Sequence, residues 1–315
     1  MANPPSVNSK TPGSLADTQP SRRVDPLAET RYHHILKPKR SRRWKMGVRI
    51  ILFISASLVA LLLVYLLAPA RINILLLGID ARPGDASYGR SDTMILGTIN
   101  PLRPYVGALS IPRDLWVDIP GQGKNRINTA HFFAELDEIG TGPQAAMEVV
   151  EKNFNIHSDH YIRVRFDGFK EFVDALGGID VTLPRSMSGY TAGVHHLDGD
   201  KALALVRDRQ GSDDFFRMER GQLLIKALIK LGLSPTKWPR LPAALIALVQ
   251  TVYTDIPGWQ FPRIALALLR AGPEGIDSRS ITRDMVNPVV TPDGAMVLEP
   301  NWEAINPVLA DMFGQ

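Results

Sequence analysis

The stretch that decides the fold is Ile72-Asn73-Ile74-Leu75-Leu76-Leu77-Gly78-Ile79-Asp80-Ala81-Arg82. Its first part, Ile72–Ile79, is almost wholly apolar and branched, which is typical of a buried strand. The sequence then changes abruptly to an acid and an arginine. Ligand-binding groups in α/β proteins collect at such strand ends. We therefore predict a buried strand with functional residues at its carboxyl end.

The chain after residue 70 alternates between short β-rich runs and amphipathic segments. Further strands are predicted at residues 94–99, 105–111, 115–119, 161–166, 179–183 and 203–206. Helices are predicted at residues 128–136, 143–154, 169–176, 214–231, 241–253 and 301–312. This interleaving predicts a single α/β domain, residues 71–315, with helices on both faces of a central sheet, an α/β/α arrangement. We expect a mixed sheet, because some connections are too short for parallel crossovers.

Composition and charge exclude several classes of protein. The chain has 315 residues and no cysteine, which excludes a disulfide framework, cysteine-ligated zinc and a thiol nucleophile. The net charge of +4 hides an asymmetry, because residues 1–49 carry +8 and residues 50–315 carry −4. The pI near 9.3 therefore belongs to the tail. We expect no nucleic-acid partner for the folded part.

Residues 50–70 form an apolar run without a charge, long enough for a helix to cross a bilayer. Its Leu, Ile, Val and Phe residues favour insertion by about 5 kcal/mol. Residues 37–49 carry seven basic side chains and no acid, which predicts a cytoplasmic amino terminus and an extracytoplasmic domain. We expect a disordered basic cytoplasmic tail over residues 1–46 and a single-pass anchor in the plasma membrane over residues 47–70. A cleaved signal peptide is the alternative, since Ala68-Pro69-Ala70 resembles a cleavage site.

Two acids near predicted strand ends are candidate ligands for a divalent cation. Asp80 follows the first strand, and Asp92 precedes the next within Arg90-Ser91-Asp92-Thr93. Mg²⁺ is commonly held by one or two carboxylates together with substrate phosphates. The alternative is that both acids only shape turns or caps, where aspartate is frequent. The histidine pairs at residues 157 and 160 and at 195 and 196 have no obvious set of further ligands.

Arginines stand at other strand and helix ends. Arg113 follows a strand directly after Pro112, and Arg207 and Arg209 are predicted to follow another strand. Arg217 and Arg220 are three residues apart at the start of a predicted helix, so they share a face. Arginine binds phosphate in bidentate fashion, which points to a local anionic ligand. The alternative is a set of surface ion pairs, Arg113 with Asp114 and Arg217 with Asp213 and Asp214.

These segments, in this order behind one span, resemble the LytR-CpsA-Psr (LCP) family of cell-envelope proteins. The likeness runs from about residue 72 to 231 and more loosely to the end. It is carried by Gly78-Ile79-Asp80-Ala81-Arg82, Arg90-Ser91-Asp92, Ile111-Pro112-Arg113-Asp114, Lys124-Asn125-Arg126-Ile127-Asn128-Thr129-Ala130, Phe166-Asp167-Gly168-Phe169, Leu176-Gly177-Gly178-Ile179-Asp180-Val181 and residues 207–222. Two positions depart from the family pattern. Phe216 stands where a small residue is usual, and Gly221 replaces the first of two glutamines.

The resemblance implies a phosphotransferase that acts in cell-wall assembly. Such proteins move a glycopolymer from a polyprenyl-pyrophosphate carrier onto a sugar hydroxyl of peptidoglycan, forming a phosphodiester. It implies that Asp80 and Asp92 hold Mg²⁺ or Mn²⁺. The implied pyrophosphate-binding residues are Arg82, Arg90, Arg113, Arg207, Arg209, Arg217 and Arg220. The implied catalytic residues are Arg113, Arg209, Arg217 and Asp214, of which Asp214 would assist the acceptor hydroxyl.

Two other functions stay open at this point. A polyprenyl-pyrophosphate pyrophosphatase would keep the same site and release phosphate to water. A non-catalytic membrane-bound envelope regulator would use the basic tail to touch anionic lipid or nucleic acid. No helix-turn-helix pattern is visible in residues 1–46, which weighs against a transcription factor.

Overall fold

The computed structural model describes residues 42–67, 71–79, 89, 91–100, 105–208, 214–249, 252–272 and 275–314. The helices are α1 (Arg42–Leu67), α2 (Thr129–Asp137), α3 (Gly142–Phe154), α4 (Phe166–Ala175), α5 (Gly199–Arg207), α6 (Asp214–Gly232), α7 (Leu241–Val249), α8 (Phe261–Ala271) and α9 (Trp302–Phe313). The strands are β1 (Ile72–Ile79), β2 (Ser91–Asn100), β3 (Tyr105–Ile111), β4 (Trp116–Ile119), β5 (Gly123–Arg126), β6 (His160–Arg165), β7 (Ile179–Leu183), β8 (Gly193–Leu197), β9 (Val252–Thr254), β10 (Ile276–Ser280), β11 (Val286–Val290) and β12 (Met296–Pro300). Short 3-10 helices occupy Pro235–Arg240, Gly258–Gln260 and Arg283–Met285.

Helix α1 contains the predicted membrane span. Within the described part of the chain, Lys45–Leu66 is the one helical segment long and apolar enough to cross a membrane. Its large side chains are exposed along its length, for example Phe53 at 75%. The helix begins at Arg42 rather than at residue 47, so residues 42–46 of the predicted tail are helical. The rest of that predicted tail lies outside the described residues. By its contacts the chain divides into one unit that ends at Val59 and another that begins at Ala60.

A six-stranded mixed sheet forms the centre of the unit that begins at Ala60. Its order is β10-β3-β2-β1-β6-β9. The β1–β6 and β3–β10 pairs are parallel, and the other neighbours are antiparallel. The prediction of an α/β domain with a mixed sheet is confirmed. Strand β1 is central, so the apolar run that suggested it is buried between two neighbouring strands.

Helices cover both faces of this sheet, because alternate residues of β1 point to opposite sides. Leu75, Leu77 and Ile79 belong to a core formed with α2, α3 and α9. Ile72 and Ile74 belong to the opposite core, which includes residues of α8. A third core joins α4, α5, α6 and β7. The central sheet is therefore packed on both faces.

Both edges of the sheet are protected. Strand β9 has only three residues. Strand β10 carries Asp277 and Arg279, whose side chains are joined by hydrogen bonds of 2.9 and 2.8 Å. Arg279 also lies 2.7 Å from Asp311 of α9. Charged side chains and short lengths discourage pairing of an edge with another chain.

The structure corrects several predicted elements. Residues 203–206, predicted as a strand, lie inside helix α5, so Arg207 ends a helix. The helix predicted at residues 241–253 ends at Val249, and Val252–Thr254 is a strand. Strands β5, β8, β10, β11 and β12 and helix α8 had no counterpart in the prediction. Gly177 and Gly178, with φ of +76° and +83°, follow α4 and account for its end.

Candidate active site

The pairing of β2 with β3 brings Arg113 and Asp92 together. Because the strands are antiparallel, the end of β3 lies beside the start of β2, with Ile111 opposite Met94. The Nη1 atom of Arg113 donates to Oδ1 of Asp92 at 2.7 Å. Both side chains are about one quarter exposed, at 25% and 24%. A charge-assisted hydrogen bond of this kind is worth about 1.5–3 kcal/mol and fixes the direction of the guanidinium.

Asp114 is the second acid near Arg113. Its carboxylate lies 3.5 Å from Nε of Arg113 and 3.2 Å from Nε of Arg126. The alternative of a simple surface pair between Arg113 and Asp114 is therefore incomplete, because the shorter contact of Arg113 is with Asp92. Asp114 is shared between two arginines instead.

Four charged residues that are distant in sequence line one cavity of about 280 Å³. They are Asp92, Arg113, Arg207 and Arg217. The cavity is also lined by Thr93, Met94, Ile95, Ser110, Ile111, Phe166, Val206 and Met218. Three guanidinium groups beside one carboxylate make this anion cavity locally positive, although residues 50–315 carry a net charge of −4. Such a set of arginines suits a ligand that carries phosphate.

Arg207 and Arg217 reach the anion cavity from helix ends. Asp198 caps the start of α5 by accepting a hydrogen bond from the backbone nitrogen of Lys201 at 2.9 Å, and the helix ends at Arg207. The Arg207 guanidinium lies 5.3 Å from the ring centroid of Phe166. Arg217 lies in the first turn of α6, where the helix dipole also favours an anion.

Arg220 has a different environment from Arg217. It is 3% exposed and does not line the anion cavity. Its guanidinium donates to Ser188 Oγ at 3.0 Å, to Asp208 Oδ2 at 3.2 Å and to the Asp208 carbonyl at 2.7 Å. These contacts join α6 to the segment that follows α5 and to the turn after β7.

The other residues predicted for the site fall outside the described part of the chain. Asp80, Arg82, Arg90 and Arg209 lie there, and of Asp214 only the backbone, at the start of α6, is described. Their roles stay predictions. Ile79, which directly precedes Asp80 in sequence, pairs with Ser91, which directly precedes Asp92.

Asp92 is the described residue that fits a role in cation binding. It lines the anion cavity. A Mg²⁺ ion held there would be bound by this carboxylate and by phosphate oxygens of the substrate. Among the described residues, no cluster of three or more acids or histidines could form an all-protein metal site. Of the histidines considered earlier, His157 is hydrogen-bonded to Glu151 at 3.0 Å and His196 to Asp180 at 2.7 Å.

An apolar cavity of about 100 Å³ adjoins the anion cavity. The two share Thr93, Phe166 and Val206 in their walls. The other wall residues are Leu76, Gly78, Val164, Phe169, Leu203, Gly221, Leu224, Ile225 and Leu228. The residues from α6 follow the i, i+3, i+4, i+7 spacing of one helix face. A ligand with a phosphate group and a hydrocarbon chain fits this pair of cavities.

Sequence reasoning missed a buried charged cluster behind the site. His131 and Glu135 are 0% exposed, and Glu135 Oε1 accepts from Arg163 Nη1 at 2.6 Å and from the Gly142 nitrogen at 3.2 Å. Burial lowers the pKa of His131 to about 4, so its ring is neutral at pH 7. The Nδ1 atom lies 3.1 Å from the carbonyl of Gly89, two residues before β2. The i, i+4 spacing of His131 and Glu135 was the available signal.

Gln222 is a second residue for which sequence reasoning predicted no role. Its Nε2 atom lies within hydrogen-bonding distance of Ser110 Oγ at 3.0 Å and Ser280 Oγ at 3.1 Å. Ser110 lines the anion cavity and Ser280 ends β10. This side chain therefore fixes the first half of α6 against the sheet, which places Arg217.

The fold and the site define a class of protein: an α/β domain with an arginine-rich anion cavity and an adjoining apolar cavity, preceded by an apolar helix. The chain belongs to the LytR_cpsA_psr family, whose model matches residues 65–312. The predicted family is thereby confirmed.

Individual relatives agree with this assignment. The chain is 40% identical over 191 residues to the polyisoprenyl-teichoic acid--peptidoglycan teichoic acid transferase TagU of Oceanobacillus iheyensis, covering 59% of each chain. It is 37% identical over 202 residues to TagU of Enterococcus faecalis, covering 62% of this chain and 64% of that protein. The alignments thus span less than two thirds of these relatives.

Solved structures share the fold. The crystal structure of B. subtilis TagV has a TM-score of 0.64 at 29% identity, covering 78% of this chain and 98% of TagV. TagT bound to LI-WTA has a TM-score of 0.61 at 25% identity, covering 78% of this chain and 91% of TagT.

Proposed function

We propose that this protein transfers a glycopolymer from a polyprenyl-pyrophosphate carrier to a sugar hydroxyl of peptidoglycan. One observation carries the proposal: the anion cavity of Asp92, Arg113, Arg207 and Arg217 shares a wall with the apolar cavity. A lipid-linked diphosphate has the same two parts in the same order. The named activity of the TagU relatives, a teichoic acid transfer to peptidoglycan, supports the choice of substrates.

The reaction is a displacement at phosphorus. The oxygen of the acceptor hydroxyl forms a bond to the phosphorus that carries the glycopolymer, and the bond from that phosphorus to the bridging oxygen breaks. The lipid phosphate leaves with the bridging oxygen, and the hydroxyl proton passes to solvent or to Asp214. Arg113, Arg207 and Arg217 stabilise the charge that develops on the departing phosphate, usually the largest contribution to such catalysis.

Asp92, with Asp80 as predicted, would hold a Mg²⁺ or Mn²⁺ ion beside the diphosphate. The ion would supply positive charge that the phosphate oxygens share. Arg113 supports this role, because its hydrogen bond holds the Asp92 carboxylate in place. Arg82, Arg90 and Arg209 would complete the binding of the diphosphate. Arg220 would support the site indirectly, because its contacts are with Asp208.

We further propose that the protein is anchored in the plasma membrane by α1, with its amino terminus in the cytoplasm and the α/β domain outside. The basic residues before the span favour this orientation. A lipid-linked substrate requires the domain to work near the membrane lipid. The proposal includes no nucleic-acid partner.

The test uses the full chain in lipid nanodiscs, supplied with Mg²⁺, a polyprenyl-pyrophosphoryl glycan and peptidoglycan oligosaccharide. The wild-type protein is expected to form a glycan–peptidoglycan conjugate. Arg113→Ala should lower the rate at least tenfold, because it removes charged hydrogen bonds each worth about 1.5–3 kcal/mol. The matched control is Arg270→Ala on α8, which should leave the rate within about twofold.

The same experiment separates the two other functions. Release of lipid phosphate without a conjugate would identify a pyrophosphatase. The absence of any turnover in wild-type protein, with normal folding, would contradict an enzymatic role.

A further inference from the structure

Two open grooves meet the anion cavity in addition to the apolar cavity. The first, which we name the hairpin groove, has a volume of about 500 Å³ and is lined by Arg113, Phe215, Arg217, Arg283 and the β11–β12 hairpin. The second, the α5 groove, has a volume of about 590 Å³ and is lined by Tyr190, Arg207, Asp208 and residues of α5. A transferase that binds a lipid carrier, a donor glycan and an acceptor at the same time needs three such openings from the anion cavity.

The three exits leave the anion cavity in different places. The apolar cavity and the α5 groove both use helix α5, through Leu203 and Val206 in one and Leu205 and Arg207 in the other. The hairpin groove shares no wall residue with the apolar cavity. It meets the anion cavity through Arg113 and Arg217 instead. The hairpin groove therefore opens from the anion cavity at Arg113 and Arg217, and no residue of α5 or of the apolar cavity lines it.

The geometry of phosphoryl transfer distinguishes the grooves. The entering and leaving oxygens stand roughly in line across the phosphorus. If the lipid phosphate departs toward the apolar cavity, the acceptor hydroxyl enters from the opposite side. We propose that the hairpin groove binds the acceptor saccharide, a glycan strand of peptidoglycan; this inference rests on the proposed function.

The walls of the hairpin groove suit a saccharide. The Arg283 guanidinium lies 5.5 Å from the ring centroid of Phe215 and 5.6 Å from that of Phe216, so a planar donor group is stacked on aromatic rings. On the hairpin, Val290 pairs with Met296, and the two are 65% and 73% exposed. Sugars present apolar C–H faces and polar edges, and binding sites of this type combine apolar surface with a few oriented donors.

The main variant is the double substitution Val290→Ser and Met296→Ser, which removes the exposed apolar wall without adding charge. Arg283→Gln is the second variant. The matched control is Val194→Ser, which changes a valine of the β7–β8 hairpin that is 68% exposed. The full chain in nanodiscs is assayed for the KM of peptidoglycan oligosaccharide and, separately, for the KM of the lipid-linked donor. Binding of an N-acetylglucosamine hexasaccharide is measured in parallel without donor.

The hairpin variants are expected to raise the acceptor KM and the Kd for the hexasaccharide about tenfold, with the donor KM within about twofold and the control unchanged. A rise in the donor KM alone would show that the groove holds the donor glycan and would overturn the inference. Unchanged acceptor KM in a wild-type enzyme that forms conjugate would overturn it as well. If the wild-type protein forms no conjugate, the proposed function fails. The hexasaccharide titration then still decides whether the groove binds glycan.

Discussion

Gly78 of β1 and Thr93 of β2 lie opposite each other in the sheet, so close that a Cβ atom on Gly78 would stand 3.0 Å from Cβ of Thr93. The same added atom would stand 3.1 Å from the ring of Phe166. All three residues line the apolar cavity. The absence of a side chain at residue 78 therefore lets Thr93 and Phe166 pack closely against β1 at the place where the two cavities meet.

Gly78→Ala should crowd Thr93 and Phe166. We expect a loss of stability of about 1–3 kcal/mol from overpacking and a higher KM for the lipid-linked donor. Urea unfolding and donor kinetics measure the two effects. Gly258→Ala is the control, because nothing lies within 4 Å of its added Cβ. A donor KM equal to that of the wild type would argue against a lipid chain in the apolar cavity.

Gly221 allows the stability of helix α6 and the role of the apolar cavity to be tested with two different substitutions. It is buried inside α6, lines the apolar cavity, and has nothing within 4 Å of an added Cβ. Gly221→Ala should stabilise the protein by about 0.5–1 kcal/mol, because glycine is a poor helix former. Gly221→Leu should extend into the cavity and raise the donor KM. Gly232→Ala is the control, because Gly232 ends the same helix and also has nothing within 4 Å of an added Cβ. It should leave the donor KM unchanged. An equal rise in the donor KM of Gly232→Ala would show that the effect comes from the helix and not from the cavity.

Arg220 and Arg113 should respond differently to substitution. Arg220→Met leaves Asp208 without its buried partner and should reduce the free energy of unfolding by about 3 kcal/mol. Arg113→Met should reduce that free energy less, because the Arg113–Asp92 pair is about one quarter exposed, and it should abolish most of the turnover. Denaturation and conjugate formation are compared for both variants. An Arg220→Met protein of normal stability and no activity would instead place Arg220 in substrate binding.

His131 should make the protein less stable at low pH. The folded state lowers its pKa to about 4 from an ordinary value near 6.5, so the unfolded chain binds the proton more readily. Stability from this group is complete above pH 6.5 and is lost as pH falls toward 4, by at most about 3 kcal/mol. His131→Phe should flatten the dependence of unfolding free energy on pH in this window. Equal slopes in the two proteins would exclude His131 as the group responsible.

Metal dependence can be tested at Asp92. Turnover should fall in EDTA and return with Mg²⁺ or Mn²⁺. Asp92→Asn should raise the Mg²⁺ concentration needed for half-maximal turnover, because a neutral amide binds a hard cation less strongly than a carboxylate does. Glu299→Gln, in β12, is the charge-matched control. Full activity of the wild-type protein in EDTA would contradict the proposal that a divalent cation takes part in the reaction.

The sequence was most informative where a pattern is local. The apolar run of β1 and the periodic segments of α3 and α6 predicted elements that the structure contains. The meeting of Asp92, Arg113 and Arg217 in one cavity agrees with their placement near element ends. The strand prediction at residues 203–206 was wrong, because a short apolar run is equally compatible with a strand and with a buried helical turn. The cap formed by Asp198 was the missed signal.

Other features depend on contacts between distant segments. Arg217 and Arg220 are three positions apart on α6, about 60° around the helix, yet one lines the anion cavity and the other meets Asp208. Only the position of the segment after α5 decides between these environments. The hairpin groove likewise requires Arg283 to reach Phe215, residues with no local relation in sequence.

The protected edges of the sheet have a consequence for the membrane anchoring proposed above. Proteins confined to a bilayer encounter one another at high local density, and an open row of backbone donors and acceptors would invite them to polymerise. One edge strand, β9, has only three residues, and the other, β10, carries the charged Asp277–Arg279 pair. Both features discourage the pairing of a neighbouring copy with the sheet edge. Under the membrane anchoring proposed above, crowding in two dimensions would therefore not drive these domains into aggregates through their sheet edges.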